Sequence, residues 1–150
     1  MNEPDFNIVW RWWKSLENDR GTRAELRRAG SVTEVAFSPA YHHLYNELSQ
    51  SDKEGLACLA GLCAHIKEDK KGVSLGEQMA EGNKPKVSGL RFRRLLAINS
   101  QAELYHAMIR IIRLLGGTVN VCDLAKTVYW WNEKTKKRLA YDYYAYAKGE

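Results

Sequence analysis

No stretch of this 150-residue sequence approaches the roughly 20 consecutive apolar residues that a membrane-spanning helix needs, so no membrane partner is expected. The opening Met1-Asn2-Glu3-Pro4-Asp5 lacks a basic segment followed by an apolar one. A secretory signal is therefore not expected, and the cytoplasm is the expected location. Cysteine is scarce: Cys58, Cys63 and Cys122 form no CxxC, which argues against a zinc site and against a disulfide framework. Buried thiols acting as small hydrophobes are the plainer reading. The P-loop, GxGxxG, GxSxG and HExxH patterns are all missing. His42, His43, His65 and His106 are scattered, and the adjacent first two would point about 100° apart on a helix, so neither a metal nor another cofactor is expected. Glu68-Asp69 sits in a lysine-rich stretch and reads as solvated charge rather than as an acid–base pair. No enzyme is expected. A hydrolase is the catalytic alternative, and metal-dependent activity on nucleic acid is what it would require.

Sustained strict alternation of apolar and polar residues is also missing, as is any repeat at a fixed period, which leaves little case for a sheet. What is present is helical spacing. The apolar fraction of 45% and charged fraction of 27% suit a globular chain rather than a disordered one. Phe6, Val9, Trp10, Trp13 and Leu16 form a stripe, with Trp12 beside it. Gly21 can end that helix, and Thr22, with Glu25 three residues on, can cap a short one running to about Ala29. Ser38-Pro39 opens a helix carrying Tyr41, Leu44, Tyr45 and Leu48. After Ser51-Asp52-Lys53-Glu54, the run Leu56 to Ile66 is apolar on most faces and predicts a central, most-buried helix.

Lys67 to Lys86 is charged and glycine-bearing, with one weak apolar patch from Val73 to Met79; a flexible connection carrying a short helix is expected there. Beyond it, Ser88, Ser100 with Glu103, and Asn120 or Asp123 cap successive helices, Gly116-Gly117 ends one of them, and Lys134 to Lys148 forms the last, with Leu139, Tyr143 and Tyr146 on one side. The expected fold is all-α: one domain over 1–150, a compact multi-helix bundle in two small lobes, 1–66 and 88–150, joined across 67–87.

The net charge of +5 favours polyanionic partners, but only if the cations collect on particular faces. Arg20, Arg23 and Arg27 recur at three and four, with Arg28 between faces; Arg91 and Arg94 recur at three, with Arg93 to one side. Arg110 and Arg113 align at three, extended by His106, and Lys134, Lys136, Lys137 and Arg138 cluster just past Trp130-Trp131. Arginine suits phosphate because its planar fork makes two parallel charge-assisted hydrogen bonds. Any single row is more often plain surface; four in one short chain raise the case for a basic binding surface. The five Trp and eight Tyr can stack on single-stranded bases, although at helical spacing such residues are more often core.

The segment Asp19-Arg20-Gly21-Thr22-Arg23-Ala24-Glu25-Leu26-Arg27-Arg28-Ala29 resembles the early motif of the CasB family, the small subunit of the type I-E CRISPR surveillance complex, Cascade. Three further features agree in order: the helix of Val9-Trp10-Arg11-Trp12-Trp13, the segment Ser88 to Leu96, and the carboxy-terminal helix pair from Asp123 through Trp130-Trp131 into Lys136 to Tyr144. The ordered set covers nearly the whole chain and is more specific than any one part.

The resemblance implies packed helices in two lobes and two copies head to tail beside the subunits that coat the guide RNA. It implies no catalysis, and a role in antiviral defence that steadies the displaced non-target DNA strand of the R-loop. The implied partners are the other Cascade subunits, including the guide-RNA-coating backbone protein, the guide RNA, the displaced single strand and a second copy of the chain. Matching positions carry over Arg20, Arg23, Arg27, Arg28, Arg91, Arg93 and Arg94 as nucleic-acid contacts. Arg110, Arg113, Lys136, Lys137 and Arg138 are added from the basic faces. Arg23 and Arg27 are the pair expected to meet carboxylates internally. The alternative is a purely architectural subunit whose basic faces contact neighbouring proteins.

Overall fold

Short polar residues placed just ahead of apolar periodicity start nearly every helix in the structure, a computed structural model that describes residues 3–148. Met1 and Asn2, which open the stretch read for a signal, lie outside the described residues. Helix α1 (Phe6–Ser15) is capped by Asp5 and ends in a 3-10 turn, Leu16–Asn18. Helix α2 (Arg20–Arg27) starts three residues earlier than a Thr22 cap places it: the Asp19 carboxylate accepts from the Thr22 N–H at 3.1 Å and from its hydroxyl at 2.7 Å. Asp19 thus takes the cap expected of Thr22, and Gly21 lies inside the helix. These two hydrogen bonds hold the Asp19 carboxyl below its ordinary pKa.

Helix α3 (Val32–Val35) is capped by Ser31, α4 (Pro39–Glu47) by Ser38 with Pro39 in its first turn, and α5 (Lys53–Cys63) by Asp52. Every residue from Gly55 to Cys63 is buried, so α5 is the central helix its all-round apolarity predicts. It packs against α3, α4, α8 (Gln101–Leu114) and α9 (Val121–Tyr129). Between α5 and α8 in the chain lie α6 (Leu75–Ala80) and α7 (Gly89–Leu96), and α10 (Glu133–Tyr146) ends the fold.

The fold is all-α apart from one feature absent from the sequence pattern. Two-residue strands β1 (Glu68–Asp69) and β2 (Thr118–Val119) pair in parallel, too short to register as alternation. Segment 67–87 holds β1 and α6. Leu75, Met79 and Val87 within it are buried in the same apolar cluster as α5, α8 and α9. Helix α6 crosses α10 so closely that a Cβ on Gly76 would fall 2.7 Å from Asp142 Cβ and 2.9 Å from the Leu139 carbonyl oxygen.

The tryptophans serve this packing. Trp10 donates to Asp69 Oδ2 at 2.8 Å, Trp12 to the Ala40 carbonyl at 3.0 Å, Trp13 to the Ile66 carbonyl at 3.2 Å and Trp131 to the Ile98 carbonyl at 2.8 Å. Trp13 is buried and the other three partly so, and each indole satisfies its one donor. Tyr41 and Tyr105 do likewise, donating to the carbonyls of Lys53 and Ala29, and burial pushes both hydroxyls up to about 12. Cys58 and Cys63 are buried, and desolvation pushes the Cys58 thiol up to about 12 and the Cys63 thiol upward as well. Thiols so disfavoured as thiolates are poor nucleophiles and poor ligands.

Candidate nucleic-acid interface

Helix α2 rests on Leu26, which is fully buried, and this orientation sorts its arginines. Arg20, Arg27 and Arg28 are exposed. Arg23 is half-buried and turns inward: its guanidinium donates to the carbonyl of Ala64 at 3.2 Å and to that of Ile66. The Ala64 carbonyl is at the end of α5, where helix geometry leaves acceptors unpaired, and the Ile66 carbonyl also accepts from Trp13. Arg23 is therefore bound to backbone rather than to a carboxylate. Arg27, the other arginine expected to pair internally, has no ion-pair partner among the described residues.

Arg27 lines a cavity with Arg113 instead. Arg113 is exposed at the end of α8, whose inner face is Leu104, Tyr105, Met108, Ile111 and Ile112. Arg27, Arg113 and Lys67 line one cavity with His65 and the Gly116–Gly117 turn. Both glycines have positive φ, 72° and 80°, a conformation open to glycine at little cost. Arg110 is exposed on the same helix but does not line this cavity. The surrounding charge and partial burial act on His65: desolvation first, then Arg27, Arg113 and Arg23, hold its ring below its ordinary pKa. Neither His65 nor Lys67 is marked as a site residue by sequence pattern. A scattered histidine points to nothing beyond a metal ligand without partners, and Lys67 looks like one more charge in a loop.

A second basic region forms where α7 meets α10. Phe92 of α7 stacks on Tyr143 of α10, with ring centroids 3.9 Å apart and planes at 8°, and Tyr144 packs edge-on against Phe92. The Tyr143 hydroxyl donates to the Val87 carbonyl at 2.6 Å. With Phe92 and Leu95 facing inward, Arg91, Arg93 and Arg94 all face solvent.

Of the α10 cations, Lys137 is exposed, while two are already engaged. Lys136 donates to Asn99 at 3.0 Å and lies over the Trp131 ring, and Arg138 pairs with Asp123 at 2.9 Å and reaches Thr127 at 3.1 Å. Tyr141, Tyr144 and Tyr146 are exposed. Tyr146, expected on the inner side with Leu139 and Tyr143, is exposed and lines an open cleft with Glu77, Ala80 and Glu81 at the end of α6.

Among the described residues, no group of three or more His, Cys, Asp or Glu side chains is placed to hold a metal ion. No helix among them is long and apolar enough to cross a membrane.

A chain in the crystal structure of E. coli Cascade bound to a PAM-containing dsDNA target shares this fold, with a TM-score of 0.79 and 20% identity over 99% of this chain and 100% of that one. CasB from Thermus thermophilus gives a TM-score of 0.72 at 20% identity over 95% of this chain and 99% of its own. At such identity the likeness is one of fold. No curated protein sequence matches the chain. The family model of the CRISPR-associated protein Cse2, by contrast, matches residues 22–144, from the first basic helix to the last. With that match over most of its length, the chain belongs to the CRISPR-associated protein Cse2 family, the CasB family that its ordered motifs resemble.

Proposed function

We propose that this protein is a non-catalytic small subunit of a cytoplasmic type I-E Cascade complex, where it holds the displaced non-target DNA strand and so stabilises the R-loop. The observation that carries this reading is the outward display of Arg91, Arg93 and Arg94 on α7 and of Arg27 and Arg113 across α2 and α8, in a chain of the Cse2 family. Exchanging a DNA duplex for a guide–target heteroduplex is nearly balanced in energy, so modest contacts to the freed strand can tip it. Arginine contacts to phosphate supply such energy without reading sequence. The similar chain in E. coli Cascade, crystallised with a dsDNA target, supports the same setting. The other partners are the guide RNA, the subunit that coats it and a second copy of this chain.

The test is R-loop stability in the assembled complex with Arg91, Arg93, Arg94 and Lys137 changed together to Ala. The expected result is intact assembly, faster R-loop collapse, and a weaker dependence of strand affinity on salt. For single strands the slope falls by about 0.7 for each phosphate that is no longer neutralised. An unchanged R-loop lifetime with normal assembly overturns the proposal in favour of a purely architectural subunit.

A further inference from the structure

The Arg27–Arg113 cavity differs from the other basic surfaces of the molecule because it is concave and gathers three cations beside a histidine ring. Its volume of about 240 Å3 is ample for a phosphate group. Its cations come from three places in the chain: Arg27 from α2, Lys67 from the segment after α5, and Arg113 from α8. No acidic side chain among the described residues lines it. His65 Nε2 is the buried side-chain nitrogen among the described residues that has no hydrogen-bond partner.

Arg23 does not crowd the site, because it is tied to the carbonyls of Ala64 and Ile66. Across from it, glycine at 116 and 117 leaves the wall without side chains, and a Cβ at Gly117 would come within 3.1 Å of Lys67 Cγ.

We infer that this cavity seats a single phosphate group, gripped by Arg27, Lys67 and Arg113, beside the ring of His65. The inference rests on the strand-holding reading for the source of that group, a phosphodiester of single-stranded DNA. It adds a consequence that open basic surface does not have. The groups facing His65 are Arg23 and Arg27 from α2 and Arg113 from α8, with Lys67 beside it in the chain, and all are cationic. They disfavour the imidazolium while the seat is empty. A phosphate anion cancels their field and favours the charged ring, so binding takes up a proton from solvent. Affinity is then highest below the pKa of the empty site and falls as pH rises through the interval up to the pKa of the filled site.

The experiment follows the His65 ring by NMR in the full chain, assigned through a His65→Gln variant. It is titrated from about pH 5 to about pH 8, alone, with inorganic phosphate and with a short oligothymidylate. Both ligands are expected to raise the ring pKa, and a rise of about one unit makes strand affinity about tenfold higher at the acidic end. His65→Gln should keep binding but lose the pH dependence. Arg27→Ala with Arg113→Ala should abolish the shift at unchanged melting temperature. A shift with inorganic phosphate but not with the strand overturns the phosphodiester assignment and leaves a free-anion site. A strand that binds while His65 stays unmoved in both arms overturns the seat and leaves the strand-holding reading standing. If the oligothymidylate fails to bind at all, that reading falls too.

Discussion

Helices α2 and α7 are the same length, eight residues, and each carries three arginines within its bounds, yet they use them differently. Beneath α2 lie the carbonyls of Ala64 and Ile66 just past α5, and Arg23 turns down to meet them. Beneath α7 lies the Tyr143 ring, which Phe92 covers, and all three of its arginines are left to solvent. What an arginine can do for a ligand is decided by what the helix covers, and the row it makes on a helical wheel says nothing about that.

The contrast is broken most forcefully by removing Phe92. Phe92→Ala deletes a fully buried ring and its stack, and a loss of about 3–5 kcal/mol in denaturant unfolding is expected. Next is Arg23→Ala, which strips charged donors from two carbonyls and should cost roughly 1.5–3 kcal/mol, toward the lower figure because the side chain is only half-buried. Arg23→Lys should recover only part of this, since an ammonium cannot span both acceptors with a fixed fork. If Arg23→Ala is as silent in unfolding as Arg91→Ala, the distinction between the two helices fails. Arg91→Ala or Arg94→Ala should shift stability by no more than about 0.5 kcal/mol, while weakening single-strand binding in a salt-dependent way.

The smallest effect is on pH. With the folded pKa of His65 depressed, the unfolded chain binds the extra proton, so His65 contributes its stabilisation above the unfolded pKa and loses it as pH falls through the folded one. The melting temperature should drop on acidification from neutral, and His65→Gln should shrink that drop.

Local signals in the sequence are sufficient for most helix starts. Ser38, Asp52, Ser88, Ser100 and Asn120 each cap a helix through an N–H two or three residues away, a relation contained within a few positions. At Asp19 and Thr22 two good caps compete, and only the carboxylate reaches both Thr22 donors. Long-range relations are not legible. Arg23 meets carbonyls 41 and 43 residues away, and the close fit of Gly76 under α10 depends on a helix more than 50 positions later. The same holds for the candidate site: the arginine rows can be read, but the convergence of Arg27, Lys67, His65 and Arg113 exists only once α2, α5 and α8 are packed.

The complete burial of α5 also bears on how the chain is made. One side of this helix is covered by α3 and α4, which leave the ribosome before it; the other is covered by α8 and α9, which do not yet exist when α5 emerges. At roughly 5–20 residues per second, several seconds pass before those helices are synthesised. Throughout that delay a strip of leucine, alanine and cysteine stands open on the nascent chain. Full burial of α5 is therefore tied to the synthesis of the later helices α8 and α9.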